Sequence, residues 1–511
     1  MNQLSKIDIE QIIEHGLSVD EVEGQIMNFI KGFPFVQICQ NVTIGNGILD
    51  LSEKEIEQAI QFYEKNQSKH SILKFVPSSG AATRMFKDLF EFSALYIGLD
   101  YTLKDFPKAQ KTIENLNKFA FYDELKSKID TTSISLEQFL EDKNYTTIIN
   151  YILTEIGLNY GKLPKALIAF HQYPSLKRKI RYAIEEHFVE AVEYAKESNS
   201  NVNIHFTLSE EHQKEVEEFV NQIKPYYENL FSVTYTITYS IQKPSTDTIA
   251  LNPDNSLAYD KEGQLIFRPS GHGALIENLN DIKGDIIFIK NIDNVAHDKL
   301  KSHTYKYKKL IAGILLQTQE EVFSALRKLE KGNLNAQDVV DIITLTNKLC
   351  ISLTEKEKEN GDIMDLLFKK INRPIRVCGV VKNVGEPGGG PFWVEKQGQR
   401  SLQIVESAQI DILDETQRDL FYNSQYFNPV DLVCGVKNYK GENFDLRNYV
   451  DKDLGFISNK SKDGKIIKAQ ELPGLWNGAM ANWITLFVEV PIETFTPVKE
   501  ITDLLRDQHQ G

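Results

Sequence analysis

Short apolar runs of the kind found in buried strands alternate with longer amphipathic segments along much of this chain. The strand-like runs occupy residues 72–76, 165–170, 201–208, 231–240 and 285–290. Helical patterns lie between several of them, including 175–197 and 209–223. Strands that alternate with helices pair mainly in parallel, because each helix carries the chain back to the start of the next strand. The pattern therefore predicts an α/β fold with a mixed, mostly parallel sheet.

The chain has 511 residues, which is too long for a single small core. Its regions differ in pattern: a helical N-terminal region, an α/β core with a helical insertion, a second helical insertion, and a second strand-rich part of the core. We predict these regions at 1–70, 71–300 (with the insertion at about 85–160), 301–371 and 372–511. The sequence has no internal repeat and no low-complexity linker, so both helical blocks are interpreted as insertions in one core.

Composition excludes several classes of function. The net charge is −14, from 72 acidic and 58 basic residues, and an acidic chain without a basic block is not expected to bind nucleic acid or an anionic membrane. No apolar stretch reaches the length of about 18 residues that predicts a membrane span, and residues 1–16 resemble a capped amphipathic helix rather than a signal peptide. The four cysteines are widely spaced, which fits a reducing cytoplasm and disfavours a zinc ribbon. We therefore expect a cytoplasmic protein.

The loop after the first strand-like run is rich in small side chains. Residues 78–83 read Ser-Ser-Gly-Ala-Ala-Thr, and Arg84 and a helical pattern follow. Small residues at the carboxyl end of a strand let phosphate approach backbone N–H groups and the positive end of a helix, and arginine adds a planar cationic fork. The GxxxxGK[ST] and GxGxxG spacings are absent. Two interpretations stay open at this point: a phosphate-binding turn, and an ordinary helix entry with a surface arginine.

Two later stretches place polar groups near predicted strands. Lys165 precedes an apolar run and is either a cation for phosphate or an ordinary solvent-facing lysine. His272 lies between two glycines ahead of a helical pattern, and Asp293 follows the next strand-like run. A carboxylate just past the carboxyl end of a strand is a usual magnesium ligand. The sequence Asn-Ile-Asp-Asn at 291–294 is equally typical of a turn capped by its own side chains.

Taken together, these stretches resemble known sequence signatures. SSGAATRM (78–85) followed by LPKALIAF (163–170) resembles the nucleotide-dependent sugar-1-phosphate transferases. Five further stretches resemble the UDP-sugar pyrophosphorylase branch, which includes UDP-glucose pyrophosphorylases. They are QKPSTDT, RPSGHGALI, IKNIDNV, LQIVESAQI and FTPVKEITDLL. This resemblance covers roughly residues 71–300 and 375–505 and leaves out the helical blocks. The chain as a whole also resembles the DUF4301 proteins, a bacterial group.

The resemblance implies a Rossmann-like nucleotide-diphospho-sugar transferase core, nucleotide-binding over 71–300 and with sugar-binding strands within 372–511. The implied reaction joins a nucleoside triphosphate, with UTP expected, to a sugar 1-phosphate by an in-line, Mg²⁺-dependent displacement. Each matching residue acquires an expected role. The catalytic cations would be Arg84, Lys165 and Lys499; the nucleotide-binding residues Ser79, Gly80, Ala81, Thr83, Gln242, Gly271 and His272; the sugar-binding residues Glu406 and Asn477; and the metal ligand Asp293. Because a sugar phosphate is already an anion, such a site has to neutralise charge and needs no general base.

The sequence departs from this family's pattern in two places. The family loop is glycine-rich where this chain has Ala81 and Ala82, and a helical block separates Arg84 from Lys165. The alternative function is therefore a non-catalytic nucleotide-sugar binding protein of the same fold. A glycosyltransferase of a related fold is a third hypothesis, although its usual Asp-x-Asp metal pair is not evident near 291–294.

Two other stretches have more than one interpretation. The glycine-rich segment 386–394 is either a loop that closes over substrate or a wide turn between strands. The lysine-rich segment 456–474 is interpreted as a solvated hairpin in which Lys460 or Lys462 could meet a sugar phosphate.

Overall fold

The structure of the protein, a computed structural model, describes most of the chain. The described residues are 4–80, 82–96, 102–131, 134–332, 334–354, 357, 363–385, 388–462 and 464–511. The chain divides into two compact units. Unit 1 comprises Met1–Ile72, Gln242–Ile289 and Lys309–Val490, and unit 2 comprises Leu73–Ile241, Lys290–Lys308 and Pro491–Gly511. Among the described helices, none combines the length and the apolar character that crossing a bilayer requires.

Strands and helices follow one another through both units. The strands are β1 Ile38–Asn41, β2 Thr43–Ile44, β3 Gly47–Ile48, β4 Ile72–Pro77, β5 Ala169–Gln172, β6 Ile180–Tyr182, β7 Asn201–Leu208, β8 Thr234–Ile241, β9 Thr248–Leu251, β10 Phe267–Arg268, β11 Ile286–Lys290, β12 Ile375–Lys382, β13 Gly389–Lys396, β14 Gln399–Glu406, β15 Tyr426–Phe427, β16 Asp431–Gly435, β17 Phe456–Lys462, β18 Lys465–Glu471 and β19 Ile484–Glu489. The α-helices are α1 Lys6–Glu14, α2 Val19–Lys31, α3 Glu53–Asn66, α4 Lys87–Leu95, α5 Pro107–Glu114, α6 Tyr122–Asp130, α7 Leu136–Glu141, α8 Tyr145–Leu153, α9 Ala183–Tyr194, α10 Glu210–Phe231, α11 Leu275–Asn280, α12 Lys301–Lys331, α13 Ala336–Lys348, α14 Ile363–Ile371 and α15 Glu415–Tyr422.

In unit 2, three parallel strands run in the order β4–β7–β8. Phe75 of β4 lies beside His205 of β7, and His205 lies beside Thr238 of β8. β4 is buried from Ile72 to Val76, as is usual for a parallel strand covered on both faces. Helix α9 is buried along most of its length. The carboxyl ends of the three strands share one edge, where the following loops can bring side chains together.

In unit 1, β2, β3, β19 and β12 pair in parallel, whereas β15 and β16 pair with β12 in the antiparallel sense. β12 and β19 are in register from Ile375 beside Ile484 to Val380 beside Glu489. The hairpin β13–β14 pairs with β1 in an antiparallel sheet, and β10, β9, β18 and β17 form another sheet in that order. The predicted mixed α/β fold with a mostly parallel sheet is confirmed by these pairings. The division into four regions stays a prediction.

Two sequence-based expectations about local structure are wrong. Residues 1–70 were predicted to be helical, and α1, α2 and α3 lie there, but 38–48 form β1 to β3. Ile38 pairs with Val394, and a partner so distant leaves no trace in local periodicity. Within 165–170, expected to be a strand, Lys165–Leu167 is a short 3₁₀ helix and β5 begins at Ala169. The 3₁₀ turn directly follows Pro164, whose fixed φ suits the start of a turn.

The glycine-rich segment 386–394 is only partly described, and its two interpretations stay predictions for residues 386–387. Residues 386–387 lie outside the described part, and β13 begins at Gly389. A Cβ built on Gly389 would lie 3.0 Å from Ile404 Cγ2, and one on Gly390 would lie 2.9 Å from Phe392 Cε2. These two glycines therefore permit close packing within a hairpin, which explains why they interrupt an otherwise apolar strand.

Candidate functional site

Two loops that the sequence singled out lie together in unit 2. After β11 the chain makes a turn in which Asn294 N donates to Asn291 O at 3.1 Å. Within this turn Ile292 N donates to Pro77 O, the last residue of β4, at 3.1 Å. The turn that carries Asp293 is therefore fixed beside the start of the small-residue loop, at the carboxyl end of β4.

The C-terminal segment is bound to the same turn. Val498 N donates to Asp293 O at 3.0 Å, and Thr496 N donates to Asn294 Oδ1 at 3.0 Å. These backbone bonds place Lys499, more than two hundred residues further along the chain, next to Asp293. The segment that carries Lys499 is therefore fixed by hydrogen bonds to the carbonyl oxygen of Asp293 and the side chain of Asn294.

Asp293 receives two ammonium groups on one oxygen. Lys165 Nζ lies 2.7 Å and Lys499 Nζ 3.1 Å from Asp293 Oδ2. Lys165 also donates to Val498 O at 2.8 Å. The Lys165 side chain is only 13% exposed, whereas that of Lys499 is 55% exposed. Lys165 is thus anchored, and Lys499 has freedom to turn toward a ligand.

The ionisation of Asp293 follows from this arrangement. Burial of the carboxyl group favours its neutral form, but the charges of Lys165 and Lys499 outweigh that effect and lower the pKa of Asp293 to about 2. The carboxylate is therefore charged at neutral pH. Two cations and one anion leave this cluster with a surplus positive charge, which suits it to binding an anion.

The small-residue loop is tied to the segment that carries Lys165. Ser78 N donates to Thr207 O at 3.0 Å, and Ala82 N donates to Leu163 O at 3.3 Å. Ser79 is half-buried, whereas Gly80, Thr83 and Arg84 are exposed. A Cβ built on Gly80 would meet nothing within 4 Å. Ala81 lies outside the described residues.

Two groups beside this loop have no partner in the described structure. Arg84 forms no ion pair with a described carboxylate, and the buried Ser78 Oγ has no hydrogen-bond partner among the described residues. Arg84 is exposed and is therefore available to an anionic ligand, whereas protein atoms cover the Ser78 hydroxyl.

The fit of this region to a metal ion depends on the ligand. Among the described residues, no set of three or more His, Cys, Asp or Glu side chains is arranged to hold a metal. Asp293 is the carboxylate of the turn, and Asn291 Oδ1 is buried without a partner there. Carboxylate and amide oxygens suit Mg²⁺, which commonly takes only one or two protein ligands and completes its shell with phosphates and water. The residues fit a metal that arrives with a phosphate ligand.

In unit 1, His272 and Glu406 come together. The imidazole of His272 stacks on the ring of Trp476, with centroids 3.9 Å apart and planes at 5°. Leu475 N donates to His272 Nδ1 at 3.0 Å, and Nε2 lies 3.5 Å from Glu406 Oε1. Because Nδ1 accepts a hydrogen bond, a neutral His272 carries its proton on Nε2, facing Glu406.

Gln409 links Glu406 to Asn477. Its Oε1 accepts hydrogen bonds from Glu406 N at 3.0 Å and from Asn477 Nδ2 at 3.5 Å. Gly271 has φ +79°, and a Cβ there would lie 2.9 Å from Glu471 Oε2. The expected residues Gly271, His272, Glu406 and Asn477 thus belong to one neighbourhood.

The structure does not bring every expected residue into this neighbourhood. Gln242 Nε2 instead donates to Asp247 Oδ1 at 3.3 Å. Lys460, in the hairpin β17–β18, does lie close to this neighbourhood: its Nζ is 2.9 Å from Oε1 of Glu471, the carboxylate that also lies beside Gly271. Sequence reasoning missed Trp476 and Gln409. The Pro-Gly-Leu-Trp-Asn-Gly stretch at 473–478 was the available signal, because glycines around an aromatic residue permit close packing.

Gly474 offers a test of the unit 1 cluster. A Cβ on Gly474 would collide with Asn477 Oδ1 and His272 Cε1, so Gly474→Ala is expected to displace both side chains and destabilise the protein by about 1–3 kcal/mol. Gly24→Ala is the matched control, since a Cβ on Gly24 in α2 meets nothing within 4 Å. Urea unfolding of both variants measures the difference. Equal stability would show that His272 and Asn477 are not packed as described.

Comparison with known proteins places the chain in a family. Among solved structures, it is similar to the UDP-glucose pyrophosphorylase of Leishmania major in complex with UDP-glucose, with 12% identity, coverage of 100% of this chain and 82% of that one, and a TM-score of 0.48. It is also similar to the UDP-glucose phosphorylase of Trypanosoma brucei, with 12% identity, coverage of 99% and 80%, and a TM-score of 0.46. No curated protein matches it. The model of the family described as "Domain of unknown function (DUF4301)" matches residues 5–510, and the chain therefore belongs to the DUF4301 family.

Proposed function

We propose that this protein is a sugar-1-phosphate nucleotidyltransferase, which forms an NDP-sugar and pyrophosphate from a nucleoside triphosphate and a sugar 1-phosphate. UTP is the proposed nucleotide, as the resemblance of residues 268–276 to the uridine branch implies. The observation that supports the proposal most directly is the convergence of Lys165 and Lys499 on Asp293 Oδ2. Such a cluster suits a reaction whose main requirement is to bring two phosphates together.

The proposed roles follow from the exposure and the partners of each cation. Lys165, anchored by Asp293 and Val498 O, would supply a fixed positive charge beside the phosphates. Lys499, half exposed, would exchange part of its contact with Asp293 for a phosphate oxygen. Arg84, which has no carboxylate partner among the described residues, would contribute a planar pair of donors. No side chain has to remove a proton, because the attacking phosphate oxygen is already an anion.

Magnesium is proposed as the cofactor, with Asp293 as its protein ligand and Asn291 as a second candidate. When bound, Mg²⁺ would offset negative charge on the triphosphate. Asp293 itself keeps Lys165 oriented and remains ionised at neutral pH, so it can serve as a ligand without losing a proton first.

The unit 1 cluster is proposed to bind the nucleotide and the sugar. Glu406 offers a half-buried carboxylate for sugar hydroxyls, and Asn477 is oriented by Gln409. Gly271 and the ring of His272, stacked on Trp476, form the proposed nucleotide surface. Gln242 is retained as a nucleotide contact in this proposal, which would require it to release Asp247.

The test is a pyrophosphate-release assay. The full chain is incubated with UTP, Mg²⁺, inorganic pyrophosphatase and a panel of sugar 1-phosphates, and phosphate release is measured. We expect turnover with at least one sugar, and, without the pyrophosphatase, formation of UTP and the sugar 1-phosphate from the UDP-sugar and pyrophosphate. Parallel reactions with ATP, CTP and GTP establish the nucleotide preference.

One observation favours a non-catalytic binding protein as the second candidate. Both lysines already contact Asp293 Oδ2, and a carboxylate neutralised in this way is a weaker ligand for a metal. Absence of turnover with every sugar, together with saturable binding of a UDP-sugar, would favour this candidate. Absence of both turnover and binding would reject both candidates.

Gly80 tests the proposed role of the small-residue loop. The space in front of its Cα is open, so Gly80→Ala is expected to leave stability within about 0.5 kcal/mol of the parent. If phosphate approaches the backbone there, the added methyl group should raise KM for the nucleotide by about tenfold or more. Gly24→Ala, equally open and outside the loop, should leave KM unchanged. An unaltered KM in Gly80→Ala would remove the loop from the nucleotide site.

A further inference from the structure

A cavity of about 700 Å³, with both polar and apolar side chains in its wall, lies in unit 1, at the amino-terminal ends of β12 and β19. Its lining residues include Arg373, just before β12, and Thr485, the second residue of β19. None of the residues assigned above to nucleotide, sugar or metal lines it. Its volume lies within the usual range for sites that bind small molecules.

Side chains of both charges line this cavity, and not every cation among them is held in an ion pair. Two of its lysines are already neutralised, since Lys370 lies 3.0 Å from Glu357 and Lys396 lies 2.7 Å from Asp451. Arg373 is half-buried and forms no ion pair with any described carboxylate. A guanidinium in that position gains most from an anion that accepts two parallel hydrogen bonds.

A second guanidinium lies behind the cavity wall. Arg376 is fully buried, and its Nε donates to Oγ1 of the lining residue Thr485 at 2.9 Å. Its Nη2 has no hydrogen-bond partner among the described residues. A buried cation without a carboxylate raises the positive potential nearby, which again favours an anionic ligand at this wall.

Two nearly buried wall residues have unpartnered polar atoms. Trp483 is 4% exposed and its Nε1 has no hydrogen-bond partner in the described structure; Gln403 is 7% exposed and its Oε1 likewise has none. Buried polar groups are normally paired, so an unpaired indole donor and an unpaired amide acceptor make this wall polar, although protein atoms cover both of them.

The remainder of the wall suits a polyhydroxylated body. Glu395, Asp451 and Asp453 line the cavity as acceptors, and Phe35 exposes half of its side chain there. Glu395 is opposite Arg400 in the β13–β14 register, so that arginine is partly compensated and is not assigned the anion. Carboxylates and amides accept hydrogen bonds from hydroxyls, and an aromatic face packs on the C–H face of a sugar ring.

From these groups we infer that the cavity is a second binding site, specific for a phosphorylated sugar, with the phosphate on Arg373 and the hydroxyls on the amide and carboxylate wall. This inference does not depend on the proposed function. Glucose 6-phosphate is a suitable probe, because it carries no 1-phosphate and cannot be a substrate of the proposed reaction.

The experiment is calorimetric titration of the full chain with glucose 6-phosphate. We expect saturable binding of about one equivalent, and about tenfold weaker binding by Arg373→Gln. Arg418→Gln, an arginine of α15 that does not line the cavity, is the matched control and should bind like the parent. Glucose alone and inorganic phosphate alone should each bind at least tenfold more weakly, because each supplies only part of the ligand.

A double variant and a titration with citrate test whether the ligand binds in this cavity and whether the site selects phosphate. Lys165→Met/Lys499→Met, which disables the unit 2 cluster, should keep the binding. Loss of binding in that variant, equal affinity in Arg373→Gln, or no saturation up to about 10 mM would overturn the inference. Tighter binding of citrate than of glucose 6-phosphate would also overturn it, because the site would then select carboxylates.

A fluorescence measurement covers the case in which Arg373→Gln does not fold. The chain has three tryptophans, Trp393, Trp476 and Trp483, so Trp393→Phe/Trp476→Phe leaves Trp483 as the reporter of the cavity wall. Glucose 6-phosphate should change the fluorescence emission of Trp483 with the same concentration dependence as the heat measured in the calorimetric titration. Unchanged emission at saturation would place the ligand elsewhere.

Discussion

Asp293→Asn is expected to lower the rate of NDP-sugar formation by about 10²- to 10³-fold while leaving the protein folded. The substitution keeps the volume of the side chain but removes the charge that orients Lys165 and Lys499. It also replaces the proposed metal ligand by a weaker one. The rate is measured by pyrophosphate release at saturating UTP and sugar 1-phosphate.

Acid unfolding gives a second measurement that does not depend on activity. The pKa of Asp293 is lowered to about 2 in the folded protein, against about 3.9 in an unfolded chain. Between these values the unfolded state binds more protons, so the stability contributed by this carboxylate is present above about pH 4 and lost as the pH falls toward 2. Asp293→Asn should lose this pH-dependent component.

Asp88→Asn is the matched control for both measurements. Asp88 also contacts a lysine in unit 2, Lys108 at 3.3 Å, but its side chain is 34% exposed and the pair lies on the surface. We expect the rate of NDP-sugar formation by Asp88→Asn to stay within about a factor of two of the parent rate, because exposed ion pairs contribute little. A parental rate in Asp293→Asn would remove Asp293 from the proposed machinery.

The place of Asp293 was predictable from sequence because its position relative to a strand is a local property. Asp293 directly follows the strand-like run 285–290, and functional groups in α/β folds gather at the carboxyl ends of strands. Lys165 and Lys499 entered through the resemblance. That all three meet at one carboxylate oxygen was not predictable, because the contact depends on backbone bonds between the C-terminal segment and the turn at 291–294.

The unit 1 cluster shows what the sequence does not reveal. Trp476 stacks on His272, about two hundred residues earlier in the chain, and neither residue carries a local sign of the other. The same limit applies to β1, whose partner strand β13 lies far along the chain. Periodicity reports burial of one face of a segment, but it does not identify what covers that face.

A buried charge network in unit 2 gives the largest expected effect on stability. Glu190 of α9 lies 3.1 Å from Lys74 of β4 and 2.9 Å from Lys290 of β11, and all three side chains are at most 1% exposed. Glu190→Gln would leave two buried lysine side chains without the carboxylate that they share. We expect a loss of about 3–5 kcal/mol, a large part of the stability of a typical domain. Urea unfolding monitored by circular dichroism measures the loss.

Glu193→Gln is the control for this variant. Glu193 lies in the same helix but is exposed, so its replacement should change stability by no more than about 0.5 kcal/mol. A third variant, Lys74→Met/Glu190→Leu/Lys290→Met, replaces the network by apolar side chains. It should recover most of the loss, because apolar replacement removes the cost of the unpaired charges.

The pH dependence of the loss distinguishes charge from packing. Burial lowers the pKa of Lys74 to about 7, although Glu190 acts to raise it, and burial also lowers the pKa of Lys290. Without Glu190 both values should fall further, so the folded variant binds fewer protons than the folded parent. The unfolding free energy of the variant should then rise more steeply with pH, and its deficit should be smaller at pH 9.5 than at pH 7. A deficit that is the same at both pH values would mean that Glu190 acts through packing alone.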